Sequence, residues 1–141
     1  MLKSELVMEK GPHTIAAPRR KRQVLVVDDN KAIRDILSRS LSFLGYDVTL
    51  ADNGLEGGTL FLTGSFDLVV TDAHMPLMNG WELSRLVKER SPKTPVIVVT
   101  GFCEDVHWEK ADKSCVDAII PKPFKLKQFD NTVQRLLNSE P

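Results

Sequence analysis

The stretch Phe66–Gly80, FDLVVTDAHMPLMNG, decides how the rest of the chain is read. Leu68, Val69, Val70 and Thr71 form a short run without apolar–polar alternation, the pattern of a strand buried on both faces in a parallel sheet. Asp72 closes that run, and Met75-Pro76 and Asn79-Gly80 mark the segment after it as loop. A carboxylate carried by a buried strand to the point where the chain leaves the sheet is fixed in place with its oxygens free. Alone, Asp72 reads equally well as an ordinary loop-capping aspartate. The surrounding sequence has to decide.

Toward the N-terminus, Val24 to Val27 repeats the pattern, an apolar run that ends in acid, here Asp28 and Asp29. From Lys31 the positions Ile33, Ile36, Leu37, Leu41 and Leu44 recur at helical spacing, with Asn30 as cap and Gly45 as a left-handed stop. Val48 and Leu50, with Tyr46, alternate with polar residues as a half-exposed strand should, and Asn53-Gly54 turns the chain. Leu55 to Leu62 reads as a weaker helix, because Gly57 and Gly58 each cost it up to roughly 1 kcal/mol relative to alanine. Toward the C-terminus, Trp81, Leu83, Leu86 and Val87 mark a helix that Pro92 stops, and Val96 to Val99 is a strand ending in Thr100-Gly101. A polar helix follows from Glu104 to Lys113, then a short strand from Ala118 to Ile120 ending in Pro121-Lys122-Pro123. Phe124, Leu126, Phe129, Val133, Leu136 and Leu137 stripe a closing helix. This alternation predicts an α/β fold, a doubly wound five-stranded parallel sheet with helices on both faces.

At 141 residues and 42% hydrophobic content the chain is sized for one core. We expect one folded domain over 23–138, a flexible basic tail or linker over 1–22 and a short C-terminal tail over 139–141. No apolar run approaches the roughly 20 residues that span a bilayer, and MLKSELVMEK lacks the apolar core of a secretory signal, so a cytoplasmic location without membrane contact is expected. Cys103 and Cys115 lack metal-ligand spacing and read as reduced thiols. The formal charge of zero hides an asymmetry: residues 1–22 carry six cations against Glu5 and Glu9, +4, which leaves −4 on the remainder. Nucleic-acid binding calls for a basic face on the folded part, whereas the dense run RRKR lies in the tail and reads as a solvated linker or weak docking segment.

In an open parallel sheet, ligands bind at the carboxyl ends of the strands. Asp28 and Asp29 end the first strand, Asp72 the third, Thr100 the fourth and Lys122 the fifth, so all should converge on one edge. Carboxylates packed together repel one another unless a cation joins them, and an all-oxygen cluster suits Mg²⁺. A lysine and a hydroxyl beside that metal are what a phosphoryl group requires, with Asp72 as the nucleophile that becomes an aspartyl-phosphate.

The pieces VLVVDDN, VVTDAHMPLMNGWEL, VIVVTG and IPKPF, in that order, resemble the receiver domain of two-component response regulators, a similarity that covers roughly Gln23 to Asn138. The resemblance implies a flavodoxin-like strand order 2-1-3-4-5 and a module that takes a phosphoryl group from a phosphohistidine of a sensor histidine kinase or phosphotransfer protein. It implies Asp72 as phosphoacceptor, Asp29 as direct Mg²⁺ ligand, Asp28 acting mainly through a metal-bound water, and the backbone carbonyl of His74 as a further ligand. Thr100 and Lys122 would hold the phosphoryl oxygens. Such a module catalyses its own phosphoryl transfer and dephosphorylation without being an enzyme in the ordinary sense. Output would pass to a downstream protein through the face near 101–127. With only a few residues after the last helix, the sequence reads as a stand-alone receiver, or as one excised from a hybrid kinase.

Several positions depart from the common family pattern. Ile119 stands where many receivers place a Tyr or Phe that swings inward on activation, so no aromatic rotamer switch is expected. Pro121 is tolerable on an edge strand, where a missing N–H costs little. The imidazole of His74 is expected to face solvent, and Trp81 and Trp108 to serve packing or a partner surface rather than a cofactor. The Lys122-Pro123 bond is expected to be cis, because the lysine must turn back over the acidic site as the chain enters the closing helix. A Mg²⁺-dependent phosphatase of the haloacid dehalogenase type also uses Asp, Thr or Ser, and Lys. It would carry a second Asp two residues after the nucleophile, where this chain has His74. A flavodoxin-like cofactor binder is disfavoured because acid follows the first strand instead of a phosphate-cradling hydroxyl and glycine loop.

Overall fold

A computed structural model describes residues 20–101 and 113–138. The expected tail, Cys103, Trp108 and the expected helix from Glu104 lie outside them, apart from Lys113, which opens a short 3-10 turn, Lys113–Cys115. The described elements run β1 (Gln23–Val27), α1 (Lys31–Phe43), β2 (Asp47–Ala51), α2 (Gly54–Thr63), β3 (Leu68–Asp72), α3 (Gly80–Arg90), β4 (Val96–Thr100), β5 (Ala118–Pro121) and α4 (Leu126–Asn138). The five strands form one parallel sheet in the order β2-β1-β3-β4-β5.

The apolar runs become the central strands because their side chains point alternately into two cores. On one face Val24, Val26, Leu68, Val70, Ile97 and Val99 meet Leu37 and Leu41 of α1 and Phe129, Val133 and Leu137 of α4. On the other, Leu25, Val27, Val69 and Val98 meet Phe61 of α2 and Trp81, Leu83 and Val87 of α3. Every residue of β3 and β4 is buried, which is why these runs show no alternation. Each fully buried aliphatic side chain contributes about 1.5–3 kcal/mol, so these strands hold the site's frame.

Helix ends follow local chemistry. Asn30 caps α1 by accepting from the Ile33 N–H at 3.2 Å, and Gly45, with φ +98°, carries the chain out of it. Asn53 and Gly54 were expected to form a turn. Instead Asn53 caps α2, accepting from the Glu56 N–H at 2.8 Å, and Gly54 is the first helical residue. Asn79 and Glu82 form a reciprocal capping box on α3. Part of the predicted apolar pattern stays outside: Ile36 and Leu126 are exposed, and so is Leu50 on the edge strand β2. The run RRKR enters the fold at Arg20, whose guanidinium pairs with both oxygens of Asp67 at 3.0 and 3.1 Å, at the edge opposite the carboxyl ends of the strands. The Lys122-Pro123 peptide is cis, as the sequence led us to expect. Among the described residues no helix is long and apolar enough to cross a membrane.

Candidate functional site

The site is assembled where β1, β3, β4 and β5 end. Asp28 follows β1 immediately, is 2% exposed, and is tied at several atoms. Its N–H donates to the Ala51 carbonyl at 3.1 Å, and its Oδ1 accepts from the Asn30 N–H at 2.8 Å. Asp29 stands next to it in the turn, exposed. Asp72 ends β3 and is almost buried; the Ala73 N–H donates to the Val99 carbonyl at 3.3 Å and the Gly80 N–H to the Ala73 carbonyl at 2.9 Å. Gly80 has to be glycine for this closure, since a Cβ there would overlap the Asp72 carbonyl oxygen. Ligand atoms of Asp28, Asp29 and Asp72 all lie within 4.8 Å of one another.

Lys122 enters from β5. Its N–H donates to the Thr100 carbonyl at 2.8 Å, which locks the residue to the end of β4. Its Nζ then sits 3.4 Å from Asp28 Oδ2 and 3.4 Å from Asp72 Oδ1. Both contacts exceed the 2.7–2.9 Å of a strong charge-assisted hydrogen bond, so the ammonium bridges the carboxylates without binding either tightly. Burial pushes the Asp72 carboxyl above its ordinary range, the Asp28 charge adds to this, and Lys122 pulls in the opposite direction. Thr100, fully buried, ends β4 in the adjacent strand position.

The five side chains singled out from the sequence, Asp28, Asp29, Asp72, Thr100 and Lys122, thus all lie at one edge of the sheet. His74, whose imidazole is expected to face solvent, is half-buried. Trp81 is a core residue against the second face of the sheet. Arg34 was not singled out. It belongs to the start of α1, and its Nη1 donates to the Asp28 carbonyl at 2.7 Å. The signal for it was present: α1 has cations and no acid in its first turn, where the helix dipole favours the reverse.

Residues 24–134 match the family model described as the response regulator receiver domain. The chain belongs to that family. The receiver is 32% identical over 115 residues to the transcriptional regulatory protein CusR of Escherichia coli K12, covering 82% of this chain and 51% of CusR. It spans about half the length of the curated relatives it matches. A CheY-like response regulator receiver domain protein from Methanospirillum hungatei JF-1 superposes with a TM-score of 0.80 at 28% identity, covering 85% of this chain and 96% of that one. Response regulator TrrA of Thermotoga maritima, solved in complex with Mg²⁺-BeF, gives 0.75 at 29% identity, covering 82% and 99%. The strand order and the function class expected of a two-component receiver are thereby established for this chain. The three clustered carboxylates of the receiver have the donor chemistry of a hard-cation site, oxygen only and anionic.

Proposed function

We propose that this receiver takes a phosphoryl group from a phosphohistidine onto Asp72, with Mg²⁺ held by Asp28, Asp29, Asp72 and the His74 carbonyl. The observation that carries the reading is the position of Lys122 Nζ, 3.4 Å from the carboxylates of both Asp28 and Asp72. A buried nucleophile, two further carboxylates and one bridging ammonium form a pocket that is anionic when empty and suited to a phosphoryl group once a divalent cation is present. When bound, the metal neutralises charge on the phosphoryl oxygens.

Asp72 supplies a carboxylate oxygen that forms the O–P bond as the N–P bond of the donor breaks. The imidazole nitrogen of the donor leaves with the bonding electron pair, and the ring departs neutral when its other nitrogen carries a proton. Lys122 and Thr100 hold the phosphoryl oxygens, Lys122 by charge and Thr100 by its hydroxyl. Reversal to the resting state needs water to attack phosphorus, releasing phosphate and restoring the Asp72 carboxylate. The approach of the donor is supported by a groove of about 470 Å³ lined by Ile33, Ile36, Lys122, Pro123, Phe124 and Leu126. Lys122 belongs to both groove and pocket, so a phosphohistidine-bearing helix seated there has its reactive group beside Asp72. Signalling onward is assigned to the face near 101–127, much of which lies outside the described residues. Ile119 replaces a swinging aromatic ring, so the change is carried by backbone at Thr100 and its neighbours.

The test is loading with beryllofluoride or acetyl phosphate in the presence of Mg²⁺. The unaltered chain should be modified, with amide-shift changes concentrated between Gly101 and Lys127, and Asp72→Asn should not be modified. Equal labelling of Asp72→Asn removes Asp72 from this role.

A further inference from the structure

We infer that Arg34 is a positioning residue for the cation site, acting on Asp29 through the backbone of Asp28. The inference rests on the receiver reading above and names a residue outside the metal and phosphoryl contacts. Arg34 lies in α1 one turn beyond its cap, and α1 has no acidic residue in its first turn. A cation there opposes the positive end of the helix dipole, so its side chain needs a partner elsewhere. Lys31 finds one within the helix, Asp35 at 2.8 Å. Arg34 turns back instead and donates from Nη1 to the Asp28 carbonyl at 2.7 Å, a short charge-assisted bond.

That bond has a particular lever. Asp28 is already held by its N–H on Ala51 and by its carboxylate, which accepts from the Asn30 N–H and faces Lys122. Its carbonyl belongs to the peptide that leads into Asp29, and Arg34 fixes the direction of that peptide. Asp29 is the exposed member of the carboxylate cluster, and among the described residues no hydrogen bond or ion pair restrains its side chain. Where its oxygens lie relative to Asp28 and Asp72 is therefore set by the backbone that Arg34 holds. Groups behind metal ligands that orient them in this way typically govern affinity by roughly 10–100-fold.

Charge and position predict opposite signs, which makes the idea easy to test. Removing a cation from the neighbourhood of a Mg²⁺ site should tighten binding if Arg34 acts by charge alone. Removing a positioning contact should weaken it. The measurement is a MgCl₂ titration, followed by amide shifts of Asp29, Asp72 and Ala73, on the unaltered chain, Arg34→Met and Arg34→Lys, with urea unfolding in EDTA to separate affinity from fold. Arg34→Met, which keeps the stem and loses the donor, should bind Mg²⁺ roughly tenfold more weakly. Arg34→Lys, which can still donate, should recover part of the loss. Affinity in Arg34→Met equal to or tighter than that of the unaltered chain overturns the inference, even if its urea midpoint falls. Should Arg34→Met fail to fold, an affinity in Arg34→Lys above that of the unaltered chain overturns it instead. Absence of Mg²⁺-dependent shifts in the unaltered chain would sink the proposed Mg²⁺ site itself.

Discussion

At the scale of single residues, the chemistry is concentrated in Asp72, which is held in a costly state. Its carboxyl is buried beside Asp28, which raises its pKa, and Lys122 relieves the cost only in part. The sign of the resulting pH dependence follows from proton counting. Between the ordinary Asp pKa of about 3.9 in the unfolded chain and the higher value in the folded one, the folded state holds more protons. Stability contributed by this group is therefore lost as pH rises through that window, and the cost is fully present above it. Without Mg²⁺, Asp72→Asn should be more stable than the unaltered chain at neutral pH, by about 0.5–2 kcal/mol, as is common when a functional site is relieved of strain. The advantage should shrink on acidification. Urea unfolding in EDTA across a pH series measures it, and an Asn variant of equal or lower stability at neutral pH would contradict the burial argument.

At the scale of elements, α2 shows how packing decides what a glycine means. In sequence, Gly57 and Gly58 are equal liabilities in a weak helix. In the fold, a Cβ on Gly57 would meet Val27 Cγ2 at 2.8 Å and Cγ1 at 3.1 Å, whereas a Cβ on Gly58 has its nearest neighbour, Leu86 Cδ1, at 3.4 Å. Gly57→Ala should destabilise, because overpacking against a buried strand costs about 1–3 kcal/mol and outweighs a helix-propensity gain of up to about 1. Gly58→Ala should be neutral or stabilising by up to about 1 kcal/mol. Thermal or urea unfolding of the two variants gives the comparison, and equal effects would mean that α2 is not seated on β1 as described. Gly54 is tighter still, since a Cβ there would lie within van der Waals overlap of the Met78 carbonyl. The start of α2 thus packs directly on the loop that leaves Asp72.

At the scale of the whole molecule, the carboxylate cluster joins the ends of two strands, β1 and β3, so a bound cation should stabilise the fold and not only the pocket. A ligand at 100 times its dissociation constant adds about 2.7 kcal/mol to stability. Mg²⁺ at saturating concentration should therefore raise the unfolding midpoint of the unaltered chain, and Asp29→Ala should lose most of that gain while staying folded, because Asp29 is exposed. An undiminished Mg²⁺ effect in Asp29→Ala would place the cation elsewhere. At the opposite end of the strands, Arg20 of the basic run pairs with Asp67 at the surface.

What the sequence determined by itself was everything governed by near neighbours. Unbroken apolar runs at Leu68–Val70 and Val96–Val99 have the length and β-branched content of strands covered on both faces, and Asn30 and Gly45 bracket α1 by chemistry that acts within a turn. The rule that ligands gather at strand ends then brings Asp28, Asp29, Asp72, Thr100 and Lys122 together from their positions along the chain. The tertiary structure alone decided what depends on approach between distant segments. Ile36 and Leu126 fit their helical stripes yet remain exposed, because the stripe is wider than the surface that α1 and α4 cover. The difference between Gly57 and Gly58 and the bond from Arg34 to Asp28 belong to the same class. Periodicity and capping are local and leave a mark in the sequence; the distance between two surfaces that meet only on folding leaves none.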